Sequence, residues 1–398
     1  MIKYIALLRY SRNFRLFTIV SFICSFGVWF SHTGIFTLLI ELGAPVWAIT
    51  ACAALAFVPN IFLAPINGII VDKFRPKPLM VSMFLIETIS VLPLIFIDSL
   101  DLLWLLFLMI FLRSGAGTLY FQAAMSMLPK ILTKKNLKLA NEMFGMLWSV
   151  SYTIGMGIAG IFIHYFGVKM AFIFDFVLYF VSFFILLNLN LKHILPKSTA
   201  KAVQMLKEGL IYLRKNPVVV HFMVLHAFVG VTSYDALVAL LADYKYKGIM
   251  SAALIIGFIN MARAAFSMVG QVVLSKYLND KILFWLFIGQ FVGIALWAIF
   301  QFNFYISFIG IAAAGFCITA LWSYTFTRLQ HHCDDEFLGR VIAYNDMLFF
   351  IVSAVTSAAI GFLFEFGVSL SAITMIMASC FLVAGFYYKF VYDKYLQN

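Results

Sequence analysis

Long apolar stretches alternate with short polar interruptions from one end of the chain to the other. The apolar stretches cover residues 16–41, 46–72, 79–97, 102–127, 140–164, 170–191, 217–242, 249–275, 282–300, 305–328, 340–364 and 369–391. Each can supply the roughly 20 residues that a helix needs to cross a bilayer. The pattern predicts an all-α polytopic membrane protein with twelve transmembrane helices, and an even number of spans puts both termini on one side.

The interruption Asn67–Pro78, NGIIVDKFRPKP, shows how the spans are punctuated. Asp72 ends one apolar run, Lys73, Arg75 and Lys77 crowd the turn, and Pro76 and Pro78 stop one helix from running into the next. It reads as a tight elbow between helices 2 and 3.

Composition agrees: 64% of residues are hydrophobic and 11% charged, against about 25% charged in soluble domains. The net charge of +11 does not point to nucleic acid, because the cations sit in alternate loops. Lys3, Arg9, Arg12 and Arg15, then Lys73 to Lys77, Lys130 to Lys138, the 192–215 segment, Lys276 with Lys281, Arg328 with Arg340, and Lys389 with Lys394 share one side. The other side carries Lys169, Lys245 and Lys247. The positive-inside rule makes the first side cytoplasmic, termini included. The basic start leads into a span too long for a signal-peptide core, so the first span is expected to stay in the protein. The five cysteines have no CxxC spacing and read as packing residues.

Weak internal repetition divides the chain. Asn216 follows Asn13 by 203 residues, Gly270 follows Gly68 by 202, and Asn141-Glu142-Met143 returns as Asn345-Asp346-Met347 at an offset of 204. Gly160 with Gly167-Val168 likewise returns as Gly361 with Gly367-Val368. Two pseudo-symmetric six-helix bundles, residues 1–191 and 217–398, are expected on either side of a cytoplasmic linker, 192–216. In that linker Val203, Leu206, Leu210 and Leu213 share a helical face opposite Lys201, Lys207, Glu208 and Arg214. It reads as an amphipathic helix on the inner surface or as a plain basic connection.

With these features the chain resembles the major facilitator superfamily over almost all of its length. Gly68-Ile69-Ile70-Val71-Asp72-Lys73 matches the start of that family's loop motif between helices 2 and 3, and Lys77 fits further on. Arg75 stands where the family usually has Gly, and Pro76 where it has a cation. The resemblance gives Gly68, Asp72, Lys73, Arg75 and Lys77 a gating role, with Gly68 letting helix 2 pack on helix 11. Asp72 would then face the start of helix 11 near Gly339 to Val341. In the second half Leu274 stands where Asp72 does, so the acid is kept in one half only. Arg113 with Gly117 is similar to the family's helix 4 motif, and Gly155-Met156-Gly157-Ile158-Ala159-Gly160 to its helix 5 antiporter motif, with Met156 where Pro is usual. Gly117, Gly155, Gly157 and Gly160 are accordingly candidates for close helix packing. Glu208-Gly209-Leu210 to Asn216-Pro217 resembles the bridge before helix 7 in a bacterial branch with macrolide efflux proteins and the enterobactin exporter. That branch implies the bacterial cytoplasmic (inner) membrane and export of a bulky organic solute. Its acid on helix 1 after Gly is missing, since Val28 follows Gly27.

An ionisable group inside a membrane costs about 2.5 to 3.5 kcal/mol on insertion scales, so each needs a partner or a cavity. His32 and Asp235 share the 203-residue offset of the repeat, which places them at equivalent depths on helices 1 and 7. They are candidates for a protonation-sensitive outer gate. The alternative pairs His32 with the Ser31 or Thr33 hydroxyl and Asp235 with Arg263. Arg113 requires a counter-charge or an anionic solute; Glu87 is the expected structural partner, and Arg263 is a second candidate for a solute anion. Asp175 reads as a satisfied polar residue near the outer end of helix 6. Glu142 and Asp346 are expected to begin helices 5 and 11 beside the inner gate, where acids are favoured. Among the aromatics, Trp29, Phe30, Tyr120, Phe121, Tyr234, Trp322 and Tyr324 are candidates for a binding wall, lipid contact or packing.

No HExxH, nucleophile elbow or Walker loop is present, and His331-His332 with Cys333 to Glu336 reads as a solvated loop. Neither an enzyme, a metal site, a cofactor nor a channel is expected. The expected function is secondary active transport by alternating access, with proton-coupled export of a drug-like or siderophore-like small molecule by a monomer in the lipid bilayer. The alternative is an importer or uniporter of a siderophore or other metabolite.

Overall fold

The structure, a computed structural model, describes residues 2–191 and 202–397. Among them twelve helical segments are long and apolar enough to cross a membrane. Spans 1 to 6 are Arg12–Glu41, Val46–Lys73, Pro76–Phe96, Leu100–Ile131, Lys134–Phe166 and Val168–Leu187. Spans 7 to 12 are Pro217–Lys245, Ala252–Tyr277, Asp280–Phe300, Phe304–His331, Leu338–Glu365 and Leu370–Tyr395. Polar side chains start several of them: Ser11, Thr133, Asn279, Asn303 and Ser369 each accept a first-turn backbone N–H, as N-caps do. Below, the end with the cationic loops is the basic face and the other the distal face.

Several spans are not continuous. Span 2 is interrupted before Val58, where Pro59 follows; span 3 tightens into a 3-10 turn at Leu92–Phe96 around Pro93; span 10 breaks at Cys317. Span 7 is the most broken. Its helix Pro217–Ala227 passes into a 3-10 turn, Phe228–Thr232, and restarts as the short helix Asp235–Leu240 before a π turn at Leu241–Lys245. Backbone groups freed in this way must find partners inside the protein, because lipid offers none.

The apolar core does not divide at the linker. One buried cluster is confined to the basic end of spans 1 to 6 and their flanks, with Phe14, Phe17, Met80, Phe84, Ala123 and Met127 at its centre. The other joins the distal ends of spans 1 to 6, including Phe30, Leu39, Ile49 and Phe172, to the whole of spans 7 to 12. The two sets of six helices therefore share a core at the distal face only.

The linker helix, Ala202–Lys215, is docked on the basic end of span 11. Tyr212 stacks on Phe337 at 4.4 Å, and the Tyr212 hydroxyl accepts the Asp334 N–H at 2.9 Å. Arg340 pairs with Glu208 at 3.4 Å, and the Tyr344 hydroxyl donates to the Leu206 carbonyl. Burial pushes the Tyr212 phenol above its ordinary range. The amphipathic pattern meets this surface through Leu213 and Leu206, while Leu210 stays half exposed and the buried face turns toward Gly209 and Tyr212. Lys201 lies outside the described residues, and the Val203 side chain is not described.

Candidate functional site

The break in span 7 sets up the site. Gly230 lies so close to span 11 that an added Cβ would stand 2.9 Å from the Phe349 carbonyl oxygen, which draws the turn against that helix. The backbone then restarts at Asp235, whose Oδ2 faces His32 Nε2 of span 1 at 3.5 Å. Their side chains keep 25% and 23% of their exposure, so the pair is partly wet and its Coulomb term is screened.

Arg263 of span 8 serves the same break. It donates to the freed Thr232 carbonyl at 3.2 Å, to Asn260 Oδ1 at 2.9 Å and to the Tyr152 hydroxyl of span 5. Its guanidinium lies over the rings of Tyr234 and Tyr152, 5.1 and 5.8 Å from their centroids. It makes no ion pair with Asp235, unlike the alternative expected from the sequence. Tyr152 stacks at 4.4 Å on Trp29, and Trp148 adds a third ring at 5.3 Å from Tyr152. Spans 1, 5, 7 and 8 thus bring together one histidine, one acid, one arginine and an aromatic cluster.

Close packing seals the distal side of this group. A Cβ added to Gly160 would lie 2.6 Å from the Ala253 carbonyl oxygen of span 8, and one on Gly157 would strike the Met261 sulfur. Gly155 faces Trp29 in the same manner. Further out, Glu365 of span 11 accepts the Trp47 backbone N–H of span 2 at 3.1 Å, and Gly361 packs on Thr50.

On the basic side the contacts are missing. Nothing lies within 4 Å of a Cβ built at Gly68, Gly145 or Gly339. Asp72 is exposed and, among the described residues, has no ion pair or side-chain hydrogen bond; it does not meet the start of span 11. The expected packing of helix 2 on helix 11 is absent at Gly68, although the two spans meet elsewhere along their length. Arg75 and Lys73 are likewise exposed, while Lys77 donates to the Leu187 carbonyl within the first six spans. In the second six, Gly270 is packed directly on the Phe316 backbone of span 10.

Two further expectations are corrected. Glu142 and Asp346 do not begin their helices, because the spans start at Lys134 and Leu338 and both acids lie two turns in. Stabilisation by the helix dipole fades within the first turn, so it does not explain them. Glu142 instead accepts from Tyr4 of the N-terminal helix Ile2–Tyr10 at 3.3 Å, and Asp346 contacts Asn345. Arg113, expected to pair with Glu87, pairs with Asp175 of span 6 at 2.7 Å. The Ser31 hydroxyl also donates to that carboxylate, and Gly27 leaves room for it. Glu87 accepts from Tyr179 at 3.2 Å, and Gly117 clears space beside it.

The other aromatics divide by setting. Tyr234 is buried under Arg263, Tyr324 donates to Asp280, Phe30 and Tyr120 are in the core, and Phe121 is exposed. Trp322 packs on Phe349 and on His226, a residue that the sequence reading passed over. His226 is fully buried and shares a 2.9 Å hydrogen bond with Thr325. Its signal was a lone histidine inside an apolar run.

A family model described as Major Facilitator Superfamily matches residues 17–357. Among curated proteins, BacE of Bacillus amyloliquefaciens, whose stated role as a bacilysin exporter is itself provisional, is 25% identical over 179 residues, 44% of this chain and 45% of that protein. An uncharacterised MFS-type transporter of Bacillus subtilis, YkuC, is 26% identical over 172 residues, 40% of this chain and 39% of its own length. The chain spans less than half the length of the curated relatives it matches. Among solved structures, the nucleoside transporter NupG matches with a TM-score of 0.76 at 14% identity, covering 97% of this chain and 100% of that one. A bacterial homologue of the iron transporter ferroportin, in an inward-facing state, matches with a TM-score of 0.74 at 13% identity over 96% and 99% of the two chains.

Proposed function

We propose, for a chain that belongs to the Major Facilitator Superfamily, secondary transport by alternating access, with the distal face closed and the basic face open in the present conformation. The protein is a multi-pass membrane transporter, not an enzyme. In our reading the basic face is cytoplasmic, as the positive-inside rule requires. The open side then faces the cell interior, and export is the direction we propose. BacE, named for the export of a small molecule, favours the same direction.

The observation that carries this reading is the position of the shared core. Spans 1 to 6 and 7 to 12 are joined by apolar packing at one end only, with the His32–Asp235 pair and Arg263 at its inner boundary. A solute arriving from the open side would meet Arg263, Asp235, His32 and the rings of Trp29, Trp148 and Tyr152. That is a mostly aromatic wall with a few charges, suited to an organic small molecule of drug-like or siderophore-like size. The His32–Asp235 pair acts as the distal gate in this scheme. Histidine is the side chain whose charge changes near neutral pH, so protons and the gate are coupled through it, and export runs by proton exchange.

Purified protein in liposomes, screened against drugs and siderophores with and without an imposed pH gradient, tests the proposal. A solute that accumulates only with the gradient is expected. Equal rates in both conditions would rule out proton exchange.

A further inference from the structure

The buried charges of spans 3, 4 and 6, with Ser31 of span 1, form a second polar centre, separate from the gate. Arg113 is its one cation, and two acids, Asp175 and Glu87, compete for it. Asp175 is fully buried and holds the guanidinium at 2.7 Å through Oδ2, the oxygen that also accepts the Ser31 hydroxyl. Glu87 keeps 7% of its exposure and makes no ion pair among the described residues. Its Oε2 accepts from Tyr179, whose ring lies 4.9 Å beneath the same guanidinium, while its Oε1 is buried with no partner. Asp175 Oδ1 and Arg113 Nε are unpartnered as well.

Every titratable group facing Glu87 is accounted for by these helices. Span 4 brings Arg113 and Tyr120, span 6 brings Asp175 and Tyr179, and span 1 brings Cys24. One cation therefore faces two carboxyl groups in a largely buried setting, where 11% of the Arg113 side chain and 7% of Glu87 remain accessible. Two ionised carboxylates would leave a net negative charge there, and a buried acid without a partner takes up a proton instead.

We propose that Glu87 is a proton-binding site, protonated while Asp175 holds Arg113 and ionised when the guanidinium turns to Glu87. The orphaned Arg113 Nε and Glu87 Oε1 are the donor and acceptor that such a turn would join. The proton needs no solute to bind, so the site stands apart from the transport reading above, and its test uses neither gradient nor substrate.

Infrared difference spectra of the purified full-length protein at neutral pH read the site directly. Wild type should show a protonated-carboxyl stretch that is lost in Glu87→Gln. The same band should also be lost in Asp175→Asn, because Arg113 is then free to ionise Glu87, whereas a merely structural Glu87 would keep it there. A band unchanged by Glu87→Gln overturns the proposal, as does its persistence in a folded Asp175→Asn. Should Asp175→Asn fail to fold, Asp175→Ser, equally neutral and smaller, replaces it with the same expectation: the band should be lost, and its persistence in the folded variant overturns the exchange.

Discussion

His32 Nε2 lies 3.5 Å from Asp235 Oδ2, although 203 residues separate them and they belong to spans 1 and 7. Removing either partner should loosen the closed distal face. Spin labels at the exposed residues 41 and 366 would follow it. His32→Ala and Asp235→Asn are expected to shift to longer distances than wild type, and wild-type distances in either variant would remove the pair from the gate.

The contact of Gly160 with span 8 admits no side chain. Gly160→Ala puts a Cβ 2.6 Å from the Ala253 carbonyl oxygen, so spans 5 and 8 must part. Overpacking of this kind costs about 1–3 kcal/mol, and the same spin-label pair should report an opened distal face. Gly145→Ala, where nothing lies within 4 Å, is the control and should change nothing. An equal response from both would disprove the wedge.

Arg113→Met leaves the buried carboxylate of Asp175 without its cation, a change that costs about 3–5 kcal/mol when one partner of a buried pair is removed. Thermal unfolding followed by tryptophan fluorescence should show the deficit. Arg113→Lys, which keeps the cation, should recover part of it. A variant Arg113→Met as stable as wild type would contradict the ion pair as a source of stability.

Tyr212→Ala removes both the stack on Phe337 and the acceptor for the Asp334 N–H. Limited proteolysis should cut the Ala202–Lys215 helix several times faster, while the digestion of the spans stays as in wild type. In wild type, docking should persist through the neutral range, because burial holds the phenol protonated, and should fail only as pH rises past the ordinary phenol value of about 10. Release between pH about 6 and about 8 would contradict that.

The spans and the equal depth of His32 and Asp235 were both legible in the sequence, for the same reason, while their direct contact was one of two open pairings. Depth in a membrane is counted in residues, and a repeat of known period puts equivalent positions at equal depth. Rotation about a helix axis is not counted in this way. Arg113 and Glu87 lie at compatible depths, yet the guanidinium turns to Asp175 on span 6, and nothing in the spacing shows which face of span 4 looks where. The break in span 7 was also hidden, because no proline after Pro217 marks it in the run 217–242 and the irregular backbone is held by distant partners such as Arg263. Glu142 and Asp346 were misread because the polar first turns of spans 5 and 11, Lys134 to Lys138 and Leu338 to Arg340, look like loops until their hydrogen bonds are known.

The interruption of span 7 bears on how the distal gate can work at speed. Bending an intact helix breaks backbone hydrogen bonds, and each one broken in lipid is costly. Between Phe228 and Tyr234 that ladder is already interrupted, with the Thr232 carbonyl handed to Arg263. The segment Asp235–Leu240 can therefore tilt as a short rigid lever about a joint that exists before any movement begins. The effort of opening then falls on the contacts between the two sets of helices: the His32–Asp235 pair, the Trp47–Glu365 hydrogen bond, the glycine seam between spans 5 and 8 and the apolar core around them.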